Sequence, residues 1–260
     1  MAEHIRYETE GKVGTITIDR PEKRNAMTYA MLRDFIATIA QADADPQTVV
    51  LIVTGVPGAF CAGTDLADLA TVPGESRGLR GTAEERHAWW PIAECSKPTI
   101  CAIDGPAVGM GAEFTSQCDI RIATPNAKFA WNFVHRGLVP DTGAGTWLLP
   151  RIIGLQPALR LLYTGAMVDS AEAERLGYVA EVVPAEALAD RARALAETIA
   201  AVSPHSLKLV KQLVYAGLTA PVEQHMQRHT AAMAACFASD DHREGVASFL
   251  ERRPAVFTGR

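Results

Sequence analysis

The chain predicts an α/β core with a helical C-terminal appendage, on three observations. Apolar runs of strand length recur, and a glycine-marked turn and a helical segment follow them. Two of these runs, residues 48–54 and 98–104, show no polar alternation, which is the pattern of strands buried on both faces. From residue 185 onward the composition becomes helical.

Taken in order, residues 5–9 and 13–18 are β-rich runs joined by Glu10-Gly11-Lys12, the pattern of a hairpin. Residues 26–40 place Met27, Met31, Phe35 and Ile39 at helical spacing. The two buried runs come next, then short strands at 119–123 and 179–184. No close sequence repeat is visible, but strand, turn and helix recur in that order, which implies right-handed crossovers. Residues 70–81, rich in Gly, Pro, Ser and Arg, have the composition of a mobile loop. Helices are expected over 185–201, 206–215 and 222–238, ending in 244–251, with Val202-Ser203-Pro204 as the boundary of the appendage. The expected division is a core over residues 1–200 and a helical region over 201–260.

Composition narrows the function. The formal net charge of −5 provides no global basic field to recruit nucleic acid, so an anionic ligand must be held by helix N-termini, backbone N–H groups and a few Arg or Lys. Five cysteines at spacings that match no zinc pattern point to reduced thiols in the cytoplasm. Residues 1–7 lack an apolar signal core, and no apolar run reaches the ~18 residues needed to span a bilayer. The histidines show no spacing for a triad or a metal site; His225 and His229 are four apart but have no acidic companion.

Two glycine-marked turns are the candidates for chemistry, although glycine at such turns often serves only backbone conformation or close packing. Phe60-Cys61-Ala62-Gly63-Thr64-Asp65-Leu66 follows the first buried strand, and Gly105-Pro106-Ala107-Val108-Gly109-Met110-Gly111-Ala112-Glu113 follows the second. Small residues at a strand-to-helix turn let a substrate approach the backbone, where helix N-termini present unpaired N–H groups. Two such turns on adjacent strands can aim two N–H groups at one oxygen. The dinucleotide fingerprint does not fit, because Phe114 stands where its third glycine belongs.

These turns belong to a longer series of motifs. Ile16-Thr17-Ile18-Asp19-Arg20-Pro21 with Arg24-Asn25-Ala26, Lys97-Pro98-Thr99-Ile100-Cys101-Ala102-Ile103-Asp104-Gly105, Cys118-Asp119-Ile120-Arg121-Ile122-Ala123, Gly137-Leu138-Val139-Pro140-Asp141 and Glu244-Gly245-Val246-Ala247-Ser248-Phe249-Leu250 flank them in order. Together they resemble the enoyl-CoA hydratase/isomerase, or crotonase, family along essentially the whole chain.

The resemblance implies a crotonase-like spiral of ββα units. It implies action on an acyl-CoA thioester through an enolate, with coenzyme A arriving as part of the substrate and no metal or other cofactor. Thr64 and Met110 occupy the positions whose N–H groups form the oxyanion hole. Lys23, Arg24 and Ala26 lie where relatives contact the phosphate and adenosine part of coenzyme A, and Ala62, Asp65 and Leu66 where backbone groups meet the adenine. Glu113 matches the first catalytic carboxylate of the hydratases. The second falls on Phe133, which cannot exchange protons, so the two-glutamate hydration mechanism is not intact. Asp141, eight residues later, stands where some isomerases keep a proton-shuttling base and where a dehalogenase keeps a nucleophile. An isomerase is therefore favoured slightly over a hydratase. The alternatives are a dehalogenase or hydrolase with Asp141 as nucleophile, and a silent acyl-CoA-binding protein. Trp89, Trp90, Trp131 and Phe133 lie on segments that flank the acyl site in relatives. Leu207, Val210, Val214, Val222, Met226 and Met233 in the appendage are expected to pack between subunits of a homotrimer or hexamer.

Overall fold

A computed structural model describes residues 4–71 and 90–260. Most of the expected loop at 70–81, together with His87 and Trp89, lies outside the described residues, whereas Ala70 and Thr71 end a short helix.

Among the described residues, nine strands form two sheets. The larger contains β1 (Ile5–Glu10), β2 (Val13–Ile18), β3 (Val50–Gly55), β4 (Thr99–Ile103), β6 (Ile120–Ala123) and β9 (Glu181–Val182), in the order β1-β2-β3-β4-β6-β9. Only the β1–β2 hairpin is antiparallel; every other pairing in this sheet is parallel. The smaller sheet contains β5 (Pro106–Val108), β7 (Lys128–Ala130) and β8 (Val168–Asp169). Isolated bridges Met27–Thr64 and Cys61–Ala107 extend this second layer towards the N-terminus. Each turn of the chain thus contributes to the large sheet and then to the small layer, which is the repeating ββα spiral.

The helices are α1 (Tyr29–Ala44), α2 (Leu66–Thr71), α3 (Pro91–Glu94), α4 (Met110–Gln117), α5 (Ala144–Trp147), α6 (Leu149–Ile153), α7 (Leu155–Thr164), α8 (Ser170–Arg175), α9 (Leu188–Ala200), α10 (Pro204–Gly217), α11 (Val222–Ala238) and α12 (Asp240–Glu251). The unbroken apolar runs of β3 and β4 follow from their packing. Leu51, Val53, Cys101 and Ile103 join one core with Phe35 of α1 and Phe114 of α4. Ile52, Ile100 and Ala102 face the other way, against Ala192 and Ala196 of α9. Alternate residues enter opposite cores, so the polar residues fall only near the ends of these strands, at Thr54 and Thr99.

The boundaries differ from expectation where capping decides them. Helix α1 begins at Tyr29, not at residue 26, because the Thr28 hydroxyl accepts from Met31 N–H at 3.1 Å and residues 25–27 are bonded elsewhere. It continues to Ala44, where the Lys97 ammonium donates to the Ala42 and Asp45 carbonyls at 2.6 Å each. Helix α10 starts at Pro204, in the first turn that tolerates proline, with Ser203 as its cap.

Helix α10 is anchored by charge. Lys211 is buried, and its ammonium lies 2.9 Å from Asp119 Oδ2 and donates to the Lys97 carbonyl at 2.9 Å. Tyr215 donates its hydroxyl to Asp119 Oδ1 at 2.8 Å. The outer faces of α10 to α12 stay apolar and exposed at Val210, Val214, Val222, Met226, Met233, Phe237, Phe249 and Leu250.

Candidate active site

The two glycine turns meet. Gly63 has φ +99°, and a Cβ built there would stand 2.8 Å from the Val108 carbonyl oxygen and 3.7 Å from Met110 N. Only glycine permits this conformation together with this approach. Met110 opens α4 from the Gly109 cap, so its N–H points out of the first helical turn. Thr64 is bracketed: Met27 N–H donates to Gly63 O, and Asp65 N–H donates to Met27 O, both at 2.8 Å. Among the described residues, neither the Thr64 nor the Met110 N–H donates to a backbone acceptor. Among the described residues, the turns therefore bring two N–H groups without a backbone acceptor to neighbouring positions.

A clamp that the sequence did not reveal holds the first turn. Asn25 is fully buried; its Nδ2 donates to the Ala59 and Phe60 carbonyls at 2.7 and 3.2 Å, and its Oδ1 accepts from Arg20 N–H at 2.8 Å. Arg24 and Asn25 both take left-handed φ values, +50° and +58°, to make this loop. Arg20 Nη1 donates to the Ala26 carbonyl and to Asp65 Oδ2, at 2.9 and 2.8 Å. The Arg20 bond holds the Asp65 carboxyl below the usual carboxylate range. Asp65 also accepts from Ala67 N–H at the start of α2, so its side chain is fully engaged. Lys23, Arg24 and Leu66 are exposed, and Ala26, Ala62 and Asp65 half-buried, along the seam between this loop and the turn. Nothing in the sequence marks these roles, because Arg20 and Asn25 act on carbonyls and a carboxylate up to 45 residues away.

Glu113, in the first turn of α4, is fully buried. Its Oε2 accepts from the Thr142 hydroxyl at 2.6 Å, and its Oε1 accepts from Gly145 N–H at 2.8 Å. Burial pushes its carboxyl up to about 8; these bonds oppose the rise and the charge of Asp141 adds to it. A Cβ on Gly145 would collide with Glu113 Oε1, so a larger residue here would displace the carboxyl. Trp90 Nε1 donates to the Thr142 carbonyl at 2.7 Å and so steadies the loop that carries both donors.

Asp141 follows Pro140 at the start of that loop. It is exposed at the surface, yet desolvation by the protein packed around it pushes its carboxyl up to about 6, against the backbone N–H groups of Thr142 and Asp141. Its charge acts on Glu113 and also on the buried Cys61 thiol, which burial pushes up to about 12. Glu113, Asp141 and the first glycine turn are thus electrostatic neighbours.

Phe133 is buried at the start of the turn of 3₁₀ helix Asn132–Arg136. Its Cζ would lie 3.9 Å from a Cβ on Gly109, so an apolar ring edge lines the second glycine turn. His135 does not join the carboxyls; its Nε2 pairs with the Thr164 carbonyl at 2.8 Å. No group of three or more His, Cys, Asp or Glu able to hold a metal occurs among the described residues, and no described helix is long and apolar enough to cross a membrane.

The chain is similar to known proteins over almost its whole length. The family profile described as enoyl-CoA hydratase/isomerase matches residues 8–260. A probable enoyl-CoA hydratase of Mycobacterium bovis is 34% identical over 258 residues, 99% of each chain. The 1,2-epoxyphenylacetyl-CoA isomerase of Escherichia coli is 35% identical over 264 aligned positions, with both chains covered completely. The crystal structure of an enoyl-CoA hydratase from Bacillus anthracis superposes with a TM-score of 0.90 at 30% identity, covering 99% of this chain and 100% of that one. A whole-length family match and a shared crotonase fold make this chain an enzyme of the enoyl-CoA hydratase/isomerase family.

Proposed function

We propose that the chain acts on an acyl-CoA thioester by removing a proton near the carbonyl, holding the resulting enolate, and returning a proton at another carbon. The observation that carries this reading is the split environment of two neighbouring carboxyls. With Asp141 near 6 and Glu113 near 8, at neutral pH the first is mostly a carboxylate and the second mostly an acid. A base and an acid on one cleft are what a double-bond shift requires. The N–H groups of Thr64 and Met110 are the donors for the enolate oxygen. One proton leaves and one returns, so this chemistry calls for no redox partner, and coenzyme A is part of the substrate. Lys23, Arg24 and Ala26 serve its phosphate and adenosine end, and the backbone at Ala62, Asp65 and Leu66 its adenine.

Phe133 favours isomerisation over hydration. Adding water needs a second group to hold and deprotonate it, and a phenyl ring does neither. The bulk of Trp90, Trp131 and Phe133 favours an aromatic, cyclic or short acyl group over a long linear one. Because Asp141 is ionised and accessible, a second reading has its carboxylate attack the substrate, as in dehalogenation; that reading predicts a covalent acyl- or aryl-enzyme visible in the intact mass.

The test is a panel of enoyl-CoA thioesters incubated in deuterated water and followed by mass. Deuterium incorporation without gain of a water molecule is expected. Its rate should rise with pH through about 6, as Asp141 ionises, and fall through about 8, as Glu113 loses its proton. Gain of water would assign a hydratase instead, and absence of any exchange would assign a silent binding protein.

Assembly follows from the exposed apolar faces of α10 to α12. A helical face carrying Val210, Val214, Met226 and Phe249 at the surface is expected to be covered by other copies of the chain in a trimer or hexamer. Light scattering at micromolar concentration should return that mass; a monomer would refute it.

A further inference from the structure

One donor beside the buried acid has no partner. Trp131 is 1% exposed, in the core behind the second glycine turn, and its Nε1–H finds no acceptor among the described residues. A buried indole N–H left unpaired costs free energy, so native cores rarely keep one without a purpose. Its surroundings narrow the choice of acceptor. The ring meets Tyr178 edge-on with centroids 5.1 Å apart, and the Tyr178 hydroxyl is already bonded to Thr115 and Ser116. On its other side lies the Glu113 carboxyl. A Cβ on Gly145 would touch both, standing 3.2 Å from Trp131 Nε1 and colliding with Glu113 Oε1.

An ionised carboxylate has about four lone-pair sites, and Glu113 uses one for Thr142 and one for Gly145. The protonated acid needs no more. Once the proton has gone to the substrate, a dry carboxylate with two donors is under-solvated, and an unused N–H stands beside it. We infer that Trp131 Nε1–H is a third donor to Glu113, closing on the carboxylate after Glu113 has given up its proton. No covalent bond changes in this step; an N–H···O⁻ bond forms and is released when Glu113 regains a proton. Trp131 is then a positioning residue that acts through Glu113. The other titratable groups facing this pair are Asp141, whose charge acts on Glu113, and Tyr178, which Arg121 overlies. The inference rests on the reading of Glu113 as the acid.

The experiment uses the full chain labelled with ¹⁵N-tryptophan, which gives four indole signals, one of them assigned to Trp131 by its loss in Trp131→Phe. In the wild type the Trp131 signal should move as pH rises through the titration of Glu113, and in Glu113→Gln it should stay fixed. Trp131→Phe should lower kcat roughly 10-fold, the scale of one hydrogen bond to a charged group, with KM changed less than about twofold. Loss of a donor to the ionised form raises the pKa of Glu113, so the high-pH limb of activity should move upward, a shift that a packing defect does not produce. If Glu113→Gln abolishes turnover while the wild-type indole signal stays flat across the titration, the third-donor role is wrong and the acid assignment stands. If Glu113→Gln leaves turnover within a factor of a few, the acid assignment itself fails and this inference with it. Should Trp131→Phe fail to fold, Trp89→Phe, Trp90→Phe and Trp147→Phe assign the other three signals, Trp131 follows by elimination, and the wild-type titration decides alone.

Discussion

Replacing Asp141 by Asn should reduce deuterium exchange and isomerisation by ~10²–10⁴-fold, the range for loss of a positioned general base. Asparagine keeps the shape and loses the lone pair that takes the proton. Asp141 is reached by solvent and accepts no side-chain bond among the described residues, so the variant should unfold at about the wild-type temperature. Calorimetry with a saturated acyl-CoA should show affinity within a few-fold of wild type, placing the loss in kcat. The matching Glu113→Gln variant should also be slow, but by removing the acid. Were Asp141→Asn to turn over within a factor of a few of wild type while Glu113→Gln was inert, Glu113 would be working as a single carboxylate. An intact-mass adduct on wild type that vanishes in Asp141→Asn would turn the assignment to nucleophilic catalysis.

The second large effect is expected at Gly63. Alanine there would have to hold φ +99° and place its methyl 2.8 Å from the Val108 carbonyl, a backbone atom that cannot swing away. The two turns must part, and Thr64 N–H and Met110 N–H no longer converge. Loss of one oxyanion donor typically costs ~10²–10³ in kcat, so kcat/KM for Gly63→Ala should fall by at least ~10²-fold. Gly58→Ala is the control. Gly58 has a similar φ of +96° with nothing within 4 Å of a Cβ, so it carries the backbone strain without the collision. Near-wild-type activity in Gly58→Ala and a collapse in Gly63→Ala is the expected pair. Equal activities would show that the approach of the two turns is not what catalysis depends on.

What the sequence made legible follows from the range over which each signal acts. Strands β3 and β4 announce themselves because the unbroken apolar runs 49–53 and 100–103 have no other explanation, and α11 because its periodicity spans seventeen residues. Strands β5, β7 and β8 are two or three residues long, shorter than any periodicity can register, so the second layer emerges only from pairing in space. The site divides in the same way. Glu113, Thr64 and Met110 lie in contiguous glycine-marked turns. The donors that set the character of Glu113 lie 29 and 32 residues away on another loop, and nothing local to Thr142 or Gly145 marks them. Asp141 was legible only through its place in the family pattern, since alone it is a polar residue after a proline. Its raised carboxyl depends on what surrounds it in three dimensions.

The Lys211–Asp119 contact has a consequence for the order in which the molecule is made. Asp119 immediately precedes β6, beside Thr99 at the start of β4, but the hydroxyl of Tyr215 that bonds it is synthesised 96 residues later. A nascent chain that has already paired β4 with β6 therefore holds an acidic side chain whose cation is still inside the ribosome. A charge left in a closing, low-dielectric site opposes that closure. The sheet can form early and still not dry out until α10 has left the exit tunnel. Ribosome-stalled chains that end before Lys211 should accordingly remain sensitive to protease around Asp119, and chains long enough to expose Tyr215 should not.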